Sequence, residues 1–156
     1  MKRIRLANSD RVFIVDDQDY QSINLYSWFL TGERSIAGNI NGKSIQLSHF
    51  IYNFHRIPFT NEIDHKDRDI FNNQKSNLRP ATIEQQRANR EKQFFETSSP
   101  YKGVSFESDR KKWRVSITVN KQVIRLGRFD TEIEAAKEYD KAAVKHFGEF
   151  ACLNFK

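Results

Sequence analysis

Apolar and polar positions alternate from the start of the chain. In RIRLANSDRVFIVDD two short alternating runs flank Asn8-Ser9-Asp10, which predicts two short strands joined by a turn. YQSINLYSWFLTG fits either a short helix or a strand, ended by Gly32. Further on, Asn41-Gly42 separates two alternating runs, the strongest short-range hairpin signal, with strands expected at Ile36–Asn39 and Ser44–Leu47. The apolar run from Leu47 to Phe54 predicts a short buried helix, stopped near Pro58.

The next stretch, IDHKDRDIFNNQKSNLRPATIEQQRANR, changes character. Glu62-Ile63-Asp64 reads as a short strand, Lys66 to Ser76 as a polar loop, and Asn77-Leu78-Arg79 as a second strand. Thr82 and Gln85 fit a capping box that opens a helix to about Lys92. Glu91 to Pro100 reads as a linker. Beyond it, YKGVSFE, KWRVSITVN and QVIRLGRF are three β-rich runs, followed by a helix capped by Thr131 with Glu134 as its partner. Ala135, Ala136, Tyr139, Ala143 and Phe147 form an apolar stripe at helical spacing, expected to be core. The predicted class is α+β. A β-rich N-terminal domain over residues 1–93 contains a ββ-α core at about 61–92. Residues 94–99 are a linker, and residues 100–156 are three antiparallel strands packed on one helix.

Strand alternation assigns faces in the last domain. Trp113, Val115, Ile117 and Val119 are expected to face the helix, with Ile124 and Leu126 from the next strand. Arg114, Ser116, Thr118, Val123 and Arg125 then lie on the outer face, with Lys102 and Lys112 nearby. Charge sharpens this picture. The 156 residues carry 26 Lys+Arg against 20 Asp+Glu, a formal charge of +6. Residues 98–128 hold eight cations (Lys102, Arg110, Lys111, Lys112, Arg114, Lys121, Arg125, Arg128) against Glu107 and Asp109, so that segment alone equals the excess of +6. Cations concentrated on one short element mark a polyanion-binding surface, and a sheet of this width can enter the DNA major groove. Cys152 stands alone, so neither a disulfide partner nor a cysteine-based zinc site is expected. The chain shows no secretory signal pattern and no membrane-length apolar run. An intracellular, cytoplasmic protein is therefore expected.

Residues 100–155 closely resemble the plant ethylene-responsive-factor (APETALA-type) DNA-binding domain. The resemblance rests on Tyr101-Lys102-Gly103-Val104, Leu126-Gly127, Phe129-Asp130-Thr131, Glu134-Ala135-Ala136, Tyr139-Asp140 and Leu153-Asn154-Phe155. It implies sheet-mediated binding to double-stranded DNA, with Lys102, Ser105, Ser116, Thr118, Val123 and Arg125 in the DNA-facing places and Lys112 and Arg114 beside them. The plant proteins favour Arg, Glu or Trp at several of these places, where this chain has Ser, Thr and Val. The target sequence therefore stays open.

The stretch around Asp64-His65 resembles the HNH nuclease core of phage and intron-encoded homing endonucleases. Asp64-His65, Asn72-Asn73, Asn77-Leu78-Arg79 and Thr82 match in register. A nuclease core followed by an APETALA-type domain is a pairing found in phage and mobile-element proteins, which places the chain in a bacterial host cell. The resemblance implies that Asp64 is an anionic ligand for a divalent metal, Mg²⁺ or Mn²⁺, and that His65 accepts a proton from water. It assigns Asn77 to fixing the loop and orienting His65, and it leaves Arg79 for a phosphate. The second metal ligand, Asn or His in the family, falls on Gln86. Its amide is one methylene longer than that of Asn, and Asn89, one turn on, is a possible substitute. His49 occupies a place where the family often has a His, in a supporting or phosphate-contact role. One catalytic unit per chain implies a monomer that nicks. Two readings remain open on sequence: a DNA endonuclease, or a non-cleaving DNA-binding regulator whose core has decayed at Gln86. A small-molecule phosphatase or transferase would leave the basic sheet unexplained.

Overall fold

The computed structural model describes residues 1–32, 34–59, 62–92 and 97–155. By packing, the chain divides into two compact units, Met1–Thr82 and Ile83–Lys156. The class is α+β, built from short antiparallel strands and few helices.

In the first unit, β1 (Lys2–Arg5) and β2 (Val12–Val15) form an antiparallel ribbon. The ambiguous segment after it contains both predicted alternatives, α1 (Tyr20–Ile23) and β3 (Trp28–Thr31). β3, β4 (Ser35–Ile40) and β5 (Lys43–Gln46) make a three-stranded sheet in the order 3-4-5. Asn41 and Gly42 close the second hairpin with φ of 53° and 79°, the left-handed pair a tight type I′ turn requires. Helix α2 (Leu47–Phe54) ends ahead of Pro58, where Arg56 turns left-handed. β6 (Glu62–His65) and β7 (Leu78–Ala81) form the last ribbon, with Asp64 opposite Arg79. Phe13, Val15, Ile23, Trp28, Leu47 and Ile51 are almost wholly buried, and they join Ile63 and Leu78 in one core. The Trp28 indole N–H donates to Ile23 O at 2.9 Å, so its polar edge is satisfied inside that core.

In the second unit, helix α3 (Ile83–Ala88) is shorter than the helix to Lys92 that the capping signal predicts. The chain leaves the helix because tertiary contacts claim its end. Ala88 O accepts from Lys102 Nζ at 2.7 Å and from Cys152 N at 3.3 Å, and Arg90 O accepts from Lys102 Nζ at 2.5 Å. Lys92 Nζ donates to Ser99 O at 2.7 Å and Tyr101 O at 2.8 Å. Half of the predicted linker, residues 94–96, lies outside the described residues. Packing thus groups α3 with the C-terminal strands and helix, and divides the chain after Thr82, ahead of the boundary expected from linker composition after residue 93.

β8 (Val104–Glu107), β9 (Lys112–Val119) and β10 (Gln122–Phe129) form an antiparallel sheet with β9 in the centre. Helix α4 (Glu132–Phe147) covers one face and carries the predicted capping box: Thr131 Oγ1 accepts from Glu134 N at 3.2 Å, and Glu134 Oε2 accepts from Thr131 N at 3.3 Å. Val104, Val115 and Ile117 pack on Ala135, Ala136, Tyr139 and Ala143 as the stripe predicts. Ile124 lies opposite Ile117 on the same side, yet it is 37% exposed, because the helix leaves that end of β10 uncovered.

Candidate nuclease centre and nucleic-acid interface

Strand β6 delivers Asp64 and His65 side by side at its C-terminal end. Asp64 is buried, and Arg79, across the ribbon, donates from Nε at 3.0 Å and Nη2 at 2.9 Å to its Oδ2. Two charges removed from water need such pairing and geometry. The guanidinium that sequence reasoning reserved for a phosphate is therefore buried against the carboxylate beside it in the ribbon.

The loop from Lys66 to Ser76 is held as a knot around Asn77. Asn77 Oδ1 accepts from Asp67 N at 3.1 Å, while Nδ2 donates to Asp67 Oδ1 and to Asn72 O, both at 2.8 Å. Asp67 Oδ2 also accepts from Asn72 Nδ2 at 2.7 Å. Burial alone would push the Asp67 carboxyl up, but the donors from Asp69 N, Asn72 and Asn77 hold it below its ordinary value. Asn77 thus ties Asp67 and Asn72 together across the loop. The contact to the histidine comes from another amide: His65 Nε2 lies 3.1 Å from Asn73 Oδ1. His65 is half-buried, and burial lowers its pKa below the usual histidine value. The Asn73 contact and the charges of Asp67, Asp64 and Asp69 oppose that only in part. The lowered value favours the neutral ring, the form a proton acceptor needs.

The loop is also tied to the N-terminal part. Asp16 accepts from Gln74 Nε2 at 3.2 Å and from Lys75 N at 2.9 Å, and Asn73 N donates to Ile14 O at 2.9 Å. Behind it His55 Nε2 lies 2.5 Å from the buried Asp19 and 3.1 Å from Lys75 Nζ. Sequence reasoning passed over Asp16, Asp19 and Lys75, because nothing local links residues so far apart in the chain. His49 sits on α2 with its ring edge-on to Phe59 at 5.0 Å.

Asp64 and His65 belong to one unit by packing, and Gln86 and Asn89 belong to the other. Gln86 Oε1 accepts from Arg90 Nη2 at 3.3 Å, and Asn89 is buried. Among the described residues no group of three or more His, Cys, Asp or Glu could hold a metal. Within the first unit the donor beside His65 is the Asp64 carboxylate, a hard oxygen of the kind that an ion of the Mg²⁺ class takes along with water and substrate phosphate.

On the outer face of the C-terminal sheet, the register pairs Ser105 with Arg114, Ser116 with Arg125, and Thr118 with Val123. A β-bulge between Arg125 and Gly127 shifts the alternation, so Arg128 comes opposite Arg114 and joins the same face. Simple alternation hid Arg128. Gly127, a glycine inside a strand with φ of 142°, is the signal that could have found it. Glu107 Oε2 accepts from Arg128 Nε at 2.5 Å, and Glu107 Oε1 lies 3.5 Å from Arg114 Nη1. Lys112 pairs with Asp130. Arg125 is exposed and has no ion-pair partner among the described residues. Lys102, expected on DNA, directs its ammonium to the carbonyls at the end of α3. Ser116 and Thr118 line a cavity of about 360 Å³ with Arg87, Lys102 and Lys121.

Comparison with known proteins agrees with both parts. The chain is 33% identical over 170 residues to an uncharacterized HNH endonuclease of Acanthamoeba polyphaga mimivirus, covering 95% of this chain and 87% of that relative. Its C-terminal part is 41% identical over 64 residues to APETALA2-like protein 2 of Oryza sativa subsp. indica, which is 40% of this chain and 15% of the rice protein. It is also 43% identical over 58 residues to the AP2-like ethylene-responsive transcription factor TOE2 of Arabidopsis thaliana, 37% of this chain and 12% of that protein. No family model matches the chain, and no solved structure matches it at significance. The chain belongs to the HNH endonuclease family, and its C-terminal part is similar to the APETALA2-like proteins. No helix among the described residues is long and apolar enough to cross a membrane.

Proposed function

We propose that this protein is a metal-dependent DNA endonuclease of the homing type. Its residues 1–93 cut, and residues 100–156 hold double-stranded DNA. The observation that carries the reading is the Asp64–His65 pair: a buried carboxylate beside an imidazole hydrogen-bonded to Asn73, at the end of the strand that leads into the loop knotted by Asn77. His65 takes a proton from the attacking water. Arg79 neutralises and orients Asp64, the carboxylate that this reading assigns to the ion. A bound Mg²⁺ or Mn²⁺ supplies stabilisation of charge on the phosphate and the leaving oxygen. Arg114, Arg125 and Arg128, with Lys112, Ser105, Ser116 and Thr118, present the face for phosphates and base edges. One such centre per chain makes the product of a monomer a nick. The viral relative supports a setting inside the host cell of a virus or mobile element, and a bacterial host belongs to the same proposal.

The test is incubation of the full chain with supercoiled plasmid in Mg²⁺, Mn²⁺ or EDTA. Relaxation of the plasmid that EDTA abolishes is expected. His65→Ala should lose about 10²- to 10⁴-fold in rate while DNA affinity stays within about twofold. Asp64→Ala should lose cleavage together with the response to metal. A second reading, a DNA-binding regulator with a decayed centre, has one observation in its favour: the Gln86 oxygen is taken by Arg90. It prevails if no DNA is cut with any metal while DNA binding persists.

A further inference from the structure

Asn73 stands at the back of His65, and its own geometry fixes what it can do. The side chain is 1% exposed, and its Nδ2 donates to Ile70 O at 2.8 Å. A carbonyl oxygen only accepts, so the amide nitrogen is committed to Ile70 and the amide oxygen must face His65 Nε2, 3.1 Å away. An amide oxygen also only accepts. His65 Nε2 therefore carries the hydrogen, and in a neutral imidazole the lone pair is then on Nδ1. The backbone of Asn73 has no freedom to undo this. Its N–H donates to Ile14 O at 2.9 Å, Ile14 N donates to Phe71 O at 2.8 Å, and the neighbours of Ile14, Phe13 and Val15, are fully buried. Strand β2 is the floor on which the amide is mounted.

We propose that Asn73, rather than Asn77, is the positioning residue for His65: it selects the Nε2–H tautomer and directs Nδ1 to the attacking water. This rests on His65 being the base. In the hydrolysis the water O–H bond breaks and its proton goes to Nδ1, the water oxygen forms a new P–O bond, and the P–O bond to the leaving 3′ oxygen breaks, that oxygen keeping the electron pair and taking a proton from solvent. The imidazolium so formed keeps its Nε2–H bond to Asn73. Asn77 serves a different end, holding the two sides of the loop together.

The test reads the ring directly and needs no cleavage. In the full-length ¹⁵N-histidine-labelled protein, at a pH where the ring is neutral, His65 should show a protonated Nε2 and an unprotonated Nδ1. In Asn73→Ala the two tautomers should mix, and in Asn73→Asp, whose carboxylate still accepts, the Nε2–H form should return. On plasmid DNA, Asn73→Ala should lower kcat by about 10- to 100-fold with KM and DNA affinity within about twofold. Asn73→Asp should recover a measurable part of that rate. An Nδ1–H ring in the wild type overturns the proposal even if the variants fail to fold, as does a tautomer unchanged in a folded Asn73→Ala. If the tautomer responds as expected but His65→Ala cuts at the wild-type rate, Asn73 still positions the ring, and it is the nuclease reading that falls.

Discussion

Arg79 sends two N–H groups to one oxygen of Asp64, at 3.0 and 2.9 Å, in a pair buried from solvent. Removing one partner of a buried pair leaves a charge without compensation, which costs about 3–5 kcal/mol. Arg79→Ala should therefore lower stability by that order in urea unfolding; a residue that only touched phosphate would leave stability unchanged and lose DNA affinity instead. Asp67 allows a second test at this scale. Its folded pKa is held below the ordinary 3.8. The stability it contributes is then fully present above the unfolded pKa and is lost as pH falls through the lower, folded value. Comparing the unfolding midpoints of wild type and Asp67→Asn should show a difference that is constant near neutrality and shrinks below about pH 4. Because Asp67 is exposed, the difference should stay below about 1 kcal/mol. Both roles depend on where side chains point inside the ribbon and loop. The sequence names Asp64, His65, Asn77 and Arg79 but cannot say that Arg79 turns inward.

The elements themselves were largely legible. Asn41-Gly42 requires a particular turn, the stripe on α4 has a single period, and Thr131 with Glu134 is a local cap, so each is decided within a few residues of chain. What escaped reading is non-local. The C-terminal end of α3 is set by Lys92 and Lys102 reaching carbonyls, and the bulge in β10 is set by its pairing with β9. Asn73 and Asn77 are the same residue type four positions apart, and only the pairing of the loop with Ile14 decides which one meets the histidine. Gly103 gives the element scale its prediction. It has φ of 77°, and a Cβ there would lie 2.0 Å from Tyr139 Cδ2 and 2.7 Å from Ser116 O, the latter a backbone atom. Gly103→Ala combines a left-handed backbone with a collision between the sheet and α4. It should destabilise the second unit by more than about 2 kcal/mol, read as an early unfolding transition, because neither the ring nor the strand can yield cheaply.

At the scale of the whole molecule the question is how much of its charge is available to DNA. The net charge of the chain is +6, and residues 98–128 account for it. On the sheet, however, Glu107 is shared by Arg128 and Arg114, and Lys112 is paired with Asp130. These surface pairs contribute little to stability. Their cost falls on binding, since a phosphate must compete with Glu107 for each arginine. Arg125 has no such competitor among the described residues. Two substitutions should therefore act in opposite directions. Arg125→Ala should weaken binding to duplex DNA, and its log–log dependence on salt should become shallower by roughly 0.9, the loss of about one phosphate contact. Glu107→Gln should do the reverse: it releases Arg114 and Arg128 and should raise affinity for duplexes of any sequence, with a slope steeper by up to roughly 1.8 for two added contacts. Titration of a labelled duplex at several salt concentrations measures both. A Glu107→Gln protein that binds no more tightly than wild type would mean that the arginines do not meet the phosphates, and that DNA lies on some surface other than the outer face of β8, β9 and β10.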